Sequence, residues 1–220
     1  MKRTRIKWLK LLFFALIIKP LVLIGLGFNI IDRKKLPKVG PAIIVANHTS
    51  HLDTLVLMSL YPLSIIQRIR PVAAADYFMK NRWMRFFATK CIDIIPMERK
   101  AIKAPDVLFK ECYKALEAGE ILILFPEGTR SMTEARDFKL KRGIHILASR
   151  NPEVPVIPVI LRGLGKALPK GEALFVPFNC EVIAGDPLSL NENAGEYLMA
   201  LESEYQSLLR KCITHPVENH

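Results

Sequence analysis

Two short apolar runs, each leading into a polar turn, organise the middle of this chain. Ala42-Ile43-Ile44-Val45-Ala46 is bounded upstream by Pro37, Gly40 and Pro41, and Ile121-Leu122-Ile123-Leu124-Phe125 is closed by Pro126 and Gly128. Continuous apolar runs of this length, rich in β-branched residues, predict strands covered on both faces. Behind Thr49 and Ser50, the positions Leu52, Leu55, Val56 and Leu60 recur at helical spacing, which predicts a helix starting near those two capping residues. Helical spacing also predicts helices over 103–118 and 189–213, the second through Leu198, Leu201, Tyr205, Leu208 and Cys212. Segments 154–161 and 173–184 read as strands, and their prolines predict sheet edges or irregularities. Alternating strands and helices predict a two-sided α/β sheet, with a strand order the sequence does not disclose.

The apolar pattern at the N-terminus differs. Trp8 to Phe28 has the length of a membrane span, which needs ~20 apolar residues. Lys19-Pro20 interrupts its middle, and a central Lys costs ~2.5–3.5 kcal/mol on insertion. The pattern therefore predicts two short apolar helices, 8–18 and 21–31, lying in or dipping into one leaflet. Lys2, Arg3, Arg5, Lys7 and Lys10 precede or enter this segment and favour the cytoplasmic side. No small-x-small cleavage site precedes Asp32-Arg33-Lys34-Lys35, which argues against a signal peptide. The predicted organisation is an anchor over 1–35 and one catalytic domain over 36–220.

Composition supports a membrane surface. The 220 residues carry a formal net charge of +11, and near an anionic leaflet each Lys or Arg adds about 1 kcal/mol. The basic residues lie beside apolar segments and no nucleic-acid motif is readable, so no nucleic-acid partner is expected. Cys91, Cys112, Cys180 and Cys212 show no CxxC spacing and read as reduced packing residues.

The two turns carry the candidate chemistry. In Asn47-His48-Thr49-Ser50-His51-Leu52-Asp53, a carboxylate lies five positions after a histidine. On one continuous helix such residues are roughly 140° apart. If His48 precedes the helix and Asp53 lies in its first turn, the carboxylate reaches one imidazole nitrogen and leaves the other to take a proton. Two other readings of the segment stand beside this one. Ser50-x-x-Asp53 is a capping-box pattern, and His48, His51 and Asp53 are all metal-ligand types, although no HExxH or second histidine cluster accompanies them. In Phe125-Pro126-Glu127-Gly128-Thr129-Arg130-Ser131, Arg130 offers a planar fork for phosphate and Gly128 permits close approach of substrate to the backbone. The plainer alternative is an ordinary turn with a solvent-exposed Glu-Arg pair. Phe138-Lys139-Leu140-Lys141-Arg142-Gly143 reads either as an extension of an anion patch or as a solvated helix start.

These residues resemble the glycerolipid acyltransferases of the 1-acylglycerol-3-phosphate acyltransferase family. Asn47 to Asp53 matches that family's His-x4-Asp motif and Phe125 to Ser131 its Glu-Gly-Thr-Arg motif. Ile94-Ile95-Pro96-Met97-Glu98-Arg99 is similar to its second motif, with Asp93 where glycine is usual and Glu98 where Asp is commoner. Val154-Pro155-Val156-Ile157-Pro158-Val159 is similar to its fourth. The resemblance covers about residues 37 to 165 and implies a mixed β-sheet flanked by helices, as in glycerol-3-phosphate acyltransferase. It also implies His48 as base and Asp53 as its orienting partner. Arg99 and Arg130 would hold the acceptor phosphate, with Glu127, Gly128 and Thr129 around the glycerol. The implied donor is acyl-CoA or acyl-carrier protein, with no cofactor and no acyl-enzyme. The implied acceptor is a lysophospholipid, foremost 1-acylglycerol-3-phosphate. Many members carry a lysine before the second motif where this chain reads Ala73-Ala74-Ala75-Asp76-Tyr77. Either Lys80 or Arg82 compensates, or the acceptor differs, a lyso-ornithine lipid being one candidate.

Two other classes fit less well. A thioesterase or lipase needs an activated nucleophile, and no Gly-x-Ser-x-Gly elbow is present. A non-catalytic lipid-binding protein needs only the anchor and the basic surface, leaving both turns without a purpose.

Overall fold

The computed structural model describes residues 7–25, 28–50, 52–78, 81–98, 104–129, 138–164 and 180–212. Seven strands form one mixed sheet: β1 (Phe28–Ile31), β2 (Ala42–Ala46), β3 (Ile69–Ala74), β4 (Ile95–Met97), β5 (Ile121–Leu124), β6 (Val156–Arg162) and β7 (Cys180–Ala184), in the order β1-β7-β6-β2-β5-β3-β4. All pairings are parallel except β6 with β7. β2 therefore sits near the middle, between β5 and β6.

The two apolar runs form β2 and β5, whose side chains are all buried because both faces of the sheet are covered, and Phe125, just past β5, is half-buried. Ala42, Ile44, Ala46, Ile121 and Ile123 face a core shared with the N-terminal helix α1 (residues 8–25) and with α2 (Asp53–Ser59). Ile43, Val45, Leu122 and Leu124 face the other core, closed by α4 (Lys110–Glu117), α5 (Gly143–Ser149) and α6 (Ala194–Arg210). Helix α3, an α-helical turn over Arg82–Phe86 continuing as a π-helix over Phe87–Ile92, joins the first core through Ala88 and Ile92. Among the described residues all four cysteines are buried and none is in a disulfide.

Several sequence expectations change. Helix α2 starts at Asp53, later than Thr49 or Ser50. The region 103–118 splits at Phe109, whose backbone leaves helical geometry between Pro105–Leu108 and α4. Helix α6 starts at Ala194 because Asn193 caps it, accepting from the Gly195 and Glu196 N–H groups. Proline does not place β6 at an edge. Pro158 lies inside the sheet, where the β7 ladder begins only at Val159, so its missing N–H falls outside that ladder. The part of the expected 173–184 strand before Cys180 lies outside the described residues.

The N-terminus departs furthest. Trp8–Phe13, the π stretch Phe14–Ile18 and Lys19–Gly25 form one helix, α1, so Lys19-Pro20 does not break it. A widened π turn just before Pro20 accommodates the ring that an ordinary turn would clash with. The same turn sets the helix face. Lys10, Phe14, Ile18 and Val22 are buried, and a four-residue repeat drifts about 40° per step on a straight α-helix. The wider π turn offsets that drift. The expected second helix ends at Gly25, and Phe28–Ile31 instead pairs with β7 as strand β1. No described helix is long and apolar enough to cross a membrane. Trp8, Leu9, Leu12, Leu16, Ile17 and Leu21 nevertheless stay exposed along α1.

A charge cluster fastens α1 to the sheet. Lys10 is fully buried, donates to the Ile69 carbonyl at 2.7 Å and lies 3.6 Å from Asp93 Oδ2. Lys7 pairs with the same carboxylate oxygen. Arg70 Nε donates to the Asp93 carbonyl at 2.8 Å, and its Nη1 to Glu120 at 3.1 Å. Asp93, at the position where the related motif has glycine, adopts a left-handed backbone with φ 67°.

Candidate active site

Because β2, β5, β3 and β4 run parallel, their C-terminal ends share one edge of the sheet. Asn47-His48 follows β2, Pro126 to Thr129 follows β5 and Glu98 follows β4, so three segments far apart in sequence converge there. Arg99 and Arg130 lie outside the described residues, as do His51 and Lys80. Arg82 opens α3 and is exposed.

The turn after β2 is held by side chains. Asn47 is buried, and its amide both donates to the Leu161 carbonyl at 2.9 Å and accepts from the Leu161 N–H at 2.7 Å, clamping the turn to β6. His48 precedes α2, and Asp53 is its first residue. Asp53 is fully buried, and its Oδ2 accepts from His48 Nδ1 at 2.9 Å, from the Thr49 N–H at 2.7 Å and from the Ser50 N–H at 2.8 Å. One oxygen thus does the work of both carboxylate readings. It takes the Ser50 N–H as in a capping box, and it holds the imidazole. The reciprocal half of the box is absent, since Ser50 Oγ accepts from Leu52 N at 3.3 Å. The imidazole is also stacked on Phe125, with ring centroids 4.3 Å apart and planes 25° apart.

Glu127 is buried, which removes the reading of a solvent-exposed pair for this residue. Its Oε1 accepts the His48 backbone N–H at 2.9 Å, joining the two motifs directly. Burial raises the Glu127 carboxyl above the usual carboxylate range, against the lowering influence of the His48 N–H and ring. The folded protein therefore keeps this proton to higher pH than the unfolded chain, and stability falls as pH rises through the shifted value. Glu127→Gln retains an oxygen for the His48 N–H and removes that titration. Urea midpoints from pH 4 to pH 8 are expected to rise for the variant relative to the wild type, and a constant difference would contradict the assignment.

Gly128 has φ +72°, which a side chain would strain. The room it leaves is taken by a residue from another segment. A Cβ there would meet Lys141 Nζ at 2.8 Å and Cε at 3.1 Å. The Lys141 backbone N–H donates to the Pro126 carbonyl at 2.9 Å, and Phe138 and Leu140 pack into the core beside it. The ammonium of Lys141 is thereby set on the Glu127–Thr129 turn. The basic run 138–143 hinted at an anion patch, but nothing local tied it to Gly128. Thr129 is exposed at the end of this turn. Among the described residues no three His, Cys, Asp or Glu side chains form a metal cluster.

A buried carboxylate thus fixes a histidine at the C-terminal edge of a parallel sheet, beside a glycine turn bearing a cation. The family model described as Acyltransferase matches residues 27–162, and the chain belongs to that family. It is 30% identical over 162 residues to the chloroplast 1-acyl-sn-glycerol-3-phosphate acyltransferase LPAT1 of Arabidopsis thaliana, covering 73% of this chain and 43% of that protein. It is 28% identical over 182 residues to the 1-acyl-sn-glycerol-3-phosphate acyltransferase of Bacillus subtilis, covering 80% and 81%. The chain thus spans less than half the length of the plastid relative. The crystal structure of the 1-acyl-sn-glycerophosphate acyltransferase PlsC from Thermotoga maritima shares the fold, with a TM-score of 0.69 at 20% identity over 93% of this chain and 80% of that one.

Proposed function

We propose that this protein transfers a fatty acyl group from acyl-CoA or acyl-carrier protein to the sn-2 hydroxyl of 1-acylglycerol-3-phosphate, giving phosphatidate. The observation that carries the reading is His48 Nδ1 held at 2.9 Å by the buried Asp53. With Nδ1 so engaged, Nε2 takes the hydroxyl proton as the oxygen attacks the thioester carbonyl carbon. The carbon–sulfur bond then breaks, and the departing thiolate recovers the proton from the imidazolium. Asp53 stabilises that imidazolium, and no acyl-enzyme is needed. Glu127 serves by fixing the His48 backbone. Arg99, Arg130 and Lys141 hold the acceptor phosphate, and Gly128 and Thr129 border the glycerol. The relatives' names support this acceptor.

The exposed apolar residues of α1 lie in one leaflet, on the cytoplasmic side, with residues 36–220 as the catalytic domain. The test is free-thiol release from a long-chain acyl-CoA by detergent-solubilised protein. Release that requires 1-acylglycerol-3-phosphate is expected. Release without an acceptor would make the protein a thioesterase, and release only with another lysolipid would change the acceptor. Lys141→Ala is expected to raise the acceptor KM about 10-fold, the scale of one charge-assisted hydrogen bond, with little change in the donor KM.

A further inference from the structure

A second site lies on the opposite edge of the sheet from His48. β1 is parallel to β7, and β7 antiparallel to β6, so the loop after β1 emerges beside the N-terminal end of β2. Helix α2 runs from Asp53 at the catalytic edge to Ser59 and Leu60 at this one. Here a cavity of about 480 Å³ opens, with Leu36, Leu60, Tyr61 and Ile65 among its walls. That volume falls within the ~300–1,000 Å³ of small-molecule sites. Arg33, Lys34 and Lys38 also line it.

We propose that this cavity binds an anionic phospholipid, one acyl chain filling the apolar part and the phosphate resting on Lys34 and Lys38. Three observations point to that occupant. First, neither Lys34 nor Lys38 has an ion-pair partner among the described residues, whereas the adjacent Lys35 pairs with Asp186 at 2.8 Å. Second, Leu36 and Tyr61, only 6% and 4% exposed, give the cavity a fixed wall of side-chain carbon against which an acyl chain packs. Third, the negative end of α2, which would repel an anion, is already neutralised. Lys19 donates to the Ser59 carbonyl and Arg33 to the Leu60 carbonyl, each at 2.7 Å. Lys19 belongs to α1, whose exposed Leu16, Ile17 and Leu21 flank it. A lipid entering the cavity therefore comes from the same apolar surface that α1 offers. The choice of a lipid source rests on the proposed placement of α1 in a leaflet, and the catalytic reading stands apart from it.

The test uses the full chain in mixed micelles with a phosphatidylglycerol carrying a photoreactive acyl chain, followed by peptide mapping, with acyl transfer measured in parallel. Labelling is expected within 60–65. Two lysines at roughly fivefold each near an anionic surface give about 25-fold weaker labelling in a Lys34→Ala/Lys38→Ala variant. Ile65→Trp, which fills the cavity, is expected to remove labelling as well, and both variants should keep acyl-transfer turnover. Equal labelling by phosphatidylcholine, label confined to α1, or undiminished labelling in the double variant would overturn the proposal. Displacement by millimolar inorganic phosphate would reassign the cations to a free phosphate ion and also overturn it. Loss of turnover in wild-type protein that still labels would count against the acyltransferase reading alone.

Discussion

His48→Ala is expected to lower turnover by roughly 10²–10⁴, the range for a general base, while leaving membrane binding and the folded state nearly unchanged. The imidazole is partly exposed, and Asp53 keeps the Thr49 and Ser50 N–H groups as donors to the same oxygen. Little of the loop depends on the ring itself. Asp53→Asn separates the two functions of that carboxylate. Its amide oxygen can replace Oδ2 for the three donors, but the amide nitrogen then occupies the place of Oδ1, which is buried without a hydrogen-bond partner among the described residues. An orphan exists in either form, so the stability loss comes from the charge-assisted bonds to Oδ2 becoming neutral ones about half as strong, and the neutral amide no longer stabilises an imidazolium. Asp53→Asn should therefore lose both activity and stability, and His48→Ala mainly activity. Steady-state thiol release with denaturant midpoints on both variants checks this. Equal stability losses would mean that the imidazole, too, is holding the loop together.

Asp93→Ala is expected to cost about 3–5 kcal/mol, the scale for removing one partner from a buried charge cluster. Lys10 lies fully buried in α1, and desolvation lowers its pKa to about 7, with Asp93 the principal opposing influence. Without that carboxylate, the ammonium of Lys10 keeps only the Ile69 carbonyl. A lysine whose folded pKa is depressed weighs against folding while it is charged, so the deficit should shrink as pH rises above about 7 and Lys10 becomes neutral in both proteins. Asp93→Gly should be milder by about 1 kcal/mol, because glycine accepts the left-handed backbone without strain. Urea unfolding at pH 6 and pH 9 measures all three effects. A deficit that grows with pH would show that Lys10 is not the charge being held.

Much of the site's framework could be read from local pattern. The runs at 42–46 and 121–125 are apolar on every residue because both faces are covered, and each hands its motif to the same sheet edge. Local signals failed where tertiary contacts decide. Ser50 and Asp53 are both good helix-start residues, and only the bonds to Asp53 Oδ2 show that the regular helix begins at the second. Glu127 is legible as a site residue, but the bond from its oxygen to a backbone 79 residues away is not. Nothing near Gly128 in sequence announces that Lys141 lies beside it. Lys10 looked like the basic entrance to an apolar segment, and nothing nearby in sequence announced Asp93, Arg70 or Glu120. Phe28–Ile31 was hidden because an apolar helix followed by an apolar strand has no polar boundary.

The π turn in α1 has a genetic consequence. It holds one residue more than a plain helix needs between Lys10 and Val22, so loss of one residue from Phe14–Ile18 would turn the widened turn into an ordinary one and leave Lys10 over Asp93. Insertion of a further residue there would instead turn everything upstream by about 100°, carrying Lys10 away from Asp93 and bringing an outer apolar position against it. Substitutions along α1 act one side chain at a time, whereas such an insertion exchanges the inner and outer faces together. Shortening this stretch by one residue should accordingly be tolerated, and lengthening it by one should be rare.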